Sequence, residues 1–406
     1  MDSGVMENAA IKKARKITVS LTVVCQSFQA LSIGGIALLL PLIRQDLGLS
    51  FTQGGSLAAA TTLVYALMQI PAGYLSDRFS PKRLFVIGVL GSTVLSLTFG
   101  LVGNYWQALV NQTLSGFFRA LLFTPGMALL TDWFPSNRRA TATGLYLVGG
   151  MSGSVIFNIA GPLIVALFSW RVAFISVASL GIIAAFTLLK FGKESPAQSA
   201  RRKGSILEAF KLFRYRILWI CGSLQFIRYA TMQGITYWLP SLLINENAIP
   251  LQYAGFIIAA QAILIAPANV LGGYVSDRLK NPILVITVSL IVLGITTMLL
   301  VSVHNITFLV VVIVINALFL QMYFGPLFSI PVEILGVRKA GIATGFSNFF
   351  ANIGGFSATY LLGWLKDTTG MFKYGFYAIT GLCFIGLILA FTLSRIRHSP
   401  AISART

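Results

Sequence analysis

Charge is scarce in this chain, and histidine and cysteine are scarcer. Only 10% of the 406 residues are Asp, Glu, Lys or Arg, against about a quarter in a soluble globular domain. The shortage excludes a fully water-exposed surface. The cysteines, Cys25, Cys221 and Cys383, each fall inside an apolar stretch. That placement excludes a disulfide framework and a metal-spaced cluster. The two histidines, His304 and His398, lie far apart, so no catalytic histidine constellation and no metal centre is visible. No phosphate-cradling glycine loop and no soluble nucleotide domain are present. The expectation is a non-enzyme with no cofactor and no metal.

Acid is missing where it would matter most. Asp2 and Glu7 lie in the N-terminal tail, Glu194 and Glu208 in a central polar stretch, and Asp46, Glu246 and Asp367 in short loops. The remaining four, Asp77, Asp132, Asp277 and Glu333, stand at the ends of apolar runs. None is at the middle of one.

Long apolar runs dominate what is present. Hydrophobic residues make up 56% of the chain and the mean hydropathy is +0.82. A bilayer-crossing helix needs about 20 predominantly apolar residues. Twelve runs qualify, at 17–43, 54–76, 84–103, 105–131, 140–168, 171–190, 217–244, 252–275, 283–303, 306–331, 341–364 and 373–394. A membrane β-barrel would show short alternating segments instead. The fold class is an all-α polytopic membrane protein with twelve transmembrane helices.

The net charge of +19 is a matter of distribution. With the N-terminus placed in the cytoplasm, 24 of the 30 Lys and Arg fall on the cytoplasmic side and four in outside loops, at Arg44, Arg171, Lys366 and Lys373. This is the positive-inside asymmetry, so both termini are expected in the cytoplasm of a cell inner or plasma membrane. The basic charge reads as topology and attraction to anionic lipid, which makes the bilayer the partner and excludes nucleic acid. The first run follows a basic tail but is too long for a signal peptide and reads as a retained helix.

The two halves repeat at a spacing of about 200 residues. Gly73-Tyr74-Leu75-Ser76-Asp77-Arg78 recurs as Gly273-Tyr274-Val275-Ser276-Asp277-Arg278, and Leu40-Pro41 as Leu239-Pro240. Asp132, Arg138-Arg139-Ala140 and Thr143-Gly144 recur as Glu333, Arg338-Lys339-Ala340 and Thr344-Gly345. Two parallel six-helix repeats are a transporter architecture. The expected organisation is a tail at 1–16, a bundle at 17–190, a polar basic linker at 191–216, a second bundle at 217–394 and a tail at 395–406.

The Gly73-x-x-x-Asp77-Arg78-x-x-x-Lys82-Arg83 loop, its echo at 273–280 and the stretch from Asp132 to Ala140 resemble the signature loops of the major facilitator superfamily. The resemblance covers residues 15–395 and says little about substrate. Ser80 departs from the usual glycine, and the second copy is cut short after Asn281-Pro282. The resemblance implies a cavity lined by helices 1, 4, 7 and 10, a monomer, and transport by alternating access. Gly73, Asp77, Arg78, Asp132, Arg138, Asp277, Arg278, Glu333 and Arg338 are the expected gating residues. A carboxylate at a helix end can meet the free N–H groups of a neighbouring helix start and release them again.

The remaining two cations are Arg119 in the fourth run and Arg228 in the seventh. A charge at bilayer depth is costly and needs a partner. No acid lies at that depth, so the partner is expected to be a bound anion. Arginine's planar fork suits a carboxylate or phosphate. Gln112, Ser115, Arg119 and Phe123 share one helix face, as do Cys221, Gln225, Arg228 and Met232. With Gln26, Gln29, Tyr65, Tyr229, Tyr237, Asn316, Tyr323, Asn348 and Asn352 they are the candidate substrate-binding set. Each polar member has a structural alternative, since such groups also bond between membrane helices.

Anion–proton symporters of the resembled family carry a helix-4 glutamate near the Arg119 position and an arginine near Gln112. Their proton site is replaced here, which favours exchange or facilitated diffusion. Drug–proton antiporters follow a helix-5 glycine-proline with two glycines, whereas Gly161-Pro162 precedes Leu163-Ile164. The expected function is movement of a small organic anion, a carboxylate before a phosphate ester. The rivals are an exporter of hydrophobic or zwitterionic compounds and, more remotely, a non-transporting sensor with a transporter fold.

Overall fold

A computed structural model describes residues 2–29, 34–135, 138–195, 216–303, 305–335 and 340–397. Among them are fourteen helices and no strand. They are α1 (Asp2–Ser27), α2 (Gly34–Leu47), α3 (Phe51–Arg78), α4 (Pro81–Phe99), α5 (Tyr105–Thr131), α6 (Arg139–Leu167) and α7 (Trp170–Phe191). After the linker follow α8 (Arg216–Asn245), α9 (Leu251–Leu279), α10 (Pro282–Leu300), α11 (Ile306–Met322), α12 (Phe324–Leu335), α13 (Ala340–Thr369) and α14 (Lys373–Arg397).

Ten of the twelve expected spans are single helices, and the other two are broken. The first run divides into α1 and α2. The tenth divides at Tyr323 into α11 and α12. Pro326 in the first turn of α12 has no N–H for a continuing ladder. Among the described residues, eight helical stretches are long and apolar enough to cross a membrane, one of them formed by α11 and α12 together. Others, such as α3 and α8, carry Ser, Thr, Gln and Arg that lower their hydropathy. Loop residues start the helices with side-chain caps: Asn104, Ser169, Asn281 and Asn305 accept from Gln107, Val172, Leu284 and Phe308 N–H groups, each meeting one orphan donor.

The chain divides into two compact units. The first is Met1–Leu47 with Val64–Lys203, and the second is Gly48–Leu63 with Gly204–Thr406. Helix α3 is therefore shared, its first turns packing with the second unit. The first unit's core gathers Cys25, Phe85, Val89, Leu122, Leu129 and Tyr146. At one of its ends, Arg171 pairs with Asp46 at 2.7 Å and donates to the Val102 carbonyl at 2.7 Å. In the second unit, Leu239, Leu243, Ile286, Leu290, Leu309 and Phe376 are fully buried. Large apolar side chains such as Ile156, Val270 and Ile388 stay exposed, as expected of lipid-facing positions.

Candidate functional site

In the second unit, Arg228 is 3% exposed. Its Nε donates to Gln225 Oε1 at 2.7 Å, one turn earlier on α8. The guanidinium carbon stands 4.7 Å from the Phe324 ring centre and 5.6 Å from that of Tyr229. Tyr323 lies within its electrostatic reach. The break between α11 and α12 thus delivers Tyr323 and Phe324 to the arginine. Among the described residues, no carboxylate pairs with Arg228. Gln225 Nε2 and the Tyr323 hydroxyl are buried and make no hydrogen bond. A buried cation beside two unused donors is an acceptor-hungry arrangement, and each unmet donor costs about 1–3 kcal/mol.

In the first unit, Arg119 is half-buried on α5, with its guanidinium carbon 5.5 Å from the Tyr65 ring centre. Tyr146 on α6 is fully buried nearby. Its hydroxyl lies 2.7 Å from Gln26 Oε1 and 2.6 Å from the Leu122 carbonyl, two acceptors for one proton. Gln26 Nε2 donates to Gln29 Oε1 at 2.8 Å. Gly126 makes room for this tyrosine, since a Cβ there would meet its hydroxyl at 2.5 Å. Sequence reasoning did not single out Tyr146 or Phe324. Neither carries a charge or a periodic polar partner that would mark it.

Four expected site residues have packing partners. Gln112 donates to Asn111 Oδ1 at 3.0 Å, and Asn111 in turn bonds the Leu95 carbonyl on α4. Asn316 donates to Thr296 Oγ1 at 2.9 Å, tying α11 to α10. Asn352 donates to the Asn348 carbonyl at 2.8 Å along α13. Tyr237 donates to the Gly54 carbonyl at 2.7 Å, far in sequence from Arg228's neighbours.

The repeated loops show matched local chemistry. Arg78 stacks on Tyr74, 4.3 Å to the ring centre, and Arg278 Nη1 donates to the Tyr274 hydroxyl at 2.9 Å. Each arginine is held by the tyrosine one turn before it. Ser80, the departure from glycine, caps α4 by accepting from Arg83 N–H at 3.1 Å, and its hydroxyl also donates to Glu194. Open space surrounds Gly73, Asp132 ends α5 at its cap, and Arg138 and Asp277 are exposed. The side chains of Asp77 and Glu333, and Arg338 altogether, lie outside the described residues.

Long apolar helices and a second unit whose buried Arg228 meets no carboxylate among the described residues are the marks of a membrane carrier. The comparisons with known proteins name its family. The Major Facilitator Superfamily model matches residues 22–359 and 221–405. The chain belongs to that superfamily, and it is an integral membrane transporter rather than an enzyme. It is 26% identical over 366 residues to the hexuronate transporter of Bacillus subtilis (strain 168), covering 84% of this chain and 86% of that one. It is 26% identical over 403 residues to a putative tartrate transporter of Agrobacterium vitis, covering 90% and 86%. Its fold matches the inward-facing, unoccupied crystal structure of a bacterial homologue of the human lysosomal transporter Spinster. The TM-score there is 0.83 at 18% identity, over 94% of this chain and 97% of that one.

Proposed function

We propose that this protein moves a small organic anion, a carboxylate, across the inner or plasma membrane by alternating access, as a monomer with both termini in the cytoplasm. Arg119 and Arg228 supply the positive charge that binds the anion. Gln29, Gln225, Tyr65, Tyr229 and Tyr323 shape the rest of the binding surface. The observation that carries the reading is Arg228: buried, bonded among the described residues to a neutral amide oxygen alone, and flanked by two unused donors. An acid brings what all three lack. Relatives named for hexuronate and tartrate support the same substrate class.

The test is a melting screen of the purified protein with mono- and dicarboxylates, phosphate esters, and neutral and cationic compounds. A ligand that binds only the folded state raises the melting temperature. Stabilisation confined to acids is expected. Arg228→Gln should weaken it about 100-fold, the scale of a lost charge-assisted contact, and Arg119→Gln should weaken it too. Stabilisation by neutral or cationic compounds that survives both changes would move the reading to the exporter.

A further inference from the structure

Gln321 stands on the last turn of α11 and is buried, at 6% exposure. Among the described residues its hydrogen-bond partner is a sulfur: Nε2 donates to the Met232 thioether of α8 at 3.0 Å. A thioether is a weak acceptor. A buried amide donor that meets only sulfur recovers little of what it lost in leaving water.

The shortage is shared by its neighbours. Met232 follows Arg228 by four residues, so both lie on one face of α8, about 6 Å apart along its axis. Phe324 follows Gln321 by three residues, and its ring centre lies 4.7 Å from the Arg228 guanidinium carbon. Gln321 and Phe324 therefore meet α8 one turn apart, Gln321 at Met232 and Phe324 at Arg228. Tyr323 lies between them in sequence, and its hydroxyl makes no hydrogen bond. The backbone here is pinned. A Cβ on Gly272 of α9 would strike the Met322 carbonyl, so α9 closes on the chain just before the break. The Gln321 carboxamide ends a flexible stem and can turn while that backbone stays.

We infer that Gln321 is a further substrate-binding residue: its carboxamide leaves the Met232 sulfur for an oxygen of the bound acid, about 6 Å from the carboxylate held at Arg228. The inference rests on the reading of Arg228 as the carboxylate's partner. The exchange is favourable because an oxygen replaces a weak sulfur acceptor. It also selects. An acid with an oxygen at that reach gains the bond, and one with a methyl group there leaves the donor on sulfur. Gln321 is neutral, so it discriminates by the position of an oxygen rather than by charge.

The test measures dissociation constants of the purified full-length protein for butyrate and 4-hydroxybutyrate. The two acids share charge and carbon chain and differ by one hydroxyl, which lies at the reach in question. The unsubstituted protein should prefer 4-hydroxybutyrate about 5-fold, the scale of one neutral hydrogen bond. Gln321→Met keeps the volume and loses the donor, so it should remove the preference by weakening 4-hydroxybutyrate. Met232→Leu removes the sulfur, so it should strengthen the preference roughly 2-fold, because the donor gives up nothing on binding. Gln321→Met that weakens both acids alike, or neither, would overturn the inference and leave the Arg228 reading standing. So would Met232→Leu that loses the preference, since the amide–sulfur bond would then be only a tie between α8 and α11. If Arg228→Gln leaves both affinities unchanged, or the unsubstituted protein binds neither acid, the Arg228 reading fails and takes this inference with it.

Discussion

The Tyr146 hydroxyl has one proton and two acceptors, and both acceptor residues are buried. Removing it leaves Gln26 Oε1 and the Leu122 carbonyl with one donor fewer in the buried core. Losing a buried partner costs about 1–3 kcal/mol. Tyr146→Phe is therefore expected to lower the melting temperature, and an unchanged melting curve would show that the hydroxyl is dispensable to the fold. At this scale the sequence was readable where two groups lie one helical turn apart. Gln225 and Arg228 share a face by spacing alone, and they bond. Tyr146 meets Gln26 across 120 residues, and nothing local to either announces it. Phe324 reaches Arg228 only because the chain breaks after α11, which apolar periodicity does not reveal.

Helix pairs show which glycines matter for contact. Glycines crowd the fifth and eleventh spans, α6 and α13, and four of them touch a neighbouring helix. A Cβ on Gly149 would come within 2.6 Å of the Val23 carbonyl, and one on Gly153 would strike the Ser27 carbonyl of α1. On α13, a Cβ on Gly354 would strike the Phe226 carbonyl, and one on Gly355 would meet the Tyr229 ring at 2.6 Å. Gly144 and Gly345, the repeat-related pair, have nothing within 4 Å. Gly153→Ala and Gly354→Ala should each force the helices apart and lower the melting temperature, by an amount typical of overpacking, about 1–3 kcal/mol. Gly144→Ala and Gly345→Ala should leave it unchanged or raised. Equal effects in all four would mean that helix flexibility, not contact, sets their role. The spans themselves were legible because lipid demands long apolar helices. The sharing of α3 was not, since the Asp367 contact to Thr52 joins residues 315 apart.

Across the whole molecule, charge is the long-range signal, and it predicts which side each loop faces. Lys and Arg crowd the loops at 78–83, 138–139, 190–216, 278–280 and 338–339, and the opposite loops hold four. Translocating a short basic loop is disfavoured, so the asymmetry orients the entire bundle. Alkaline phosphatase, active only outside the cytoplasm, should be active when fused after Gly48, Gly103, Asn247 or Gly370. It should be inactive after Phe79, Gly192, Lys280 or Arg397. The two sets sit at opposite ends of successive helices, so a single inverted helix would exchange every later result. If the fusions after Gly48 and Gly370 are inactive and those after Phe79 and Arg397 are active, the charge reading is inverted.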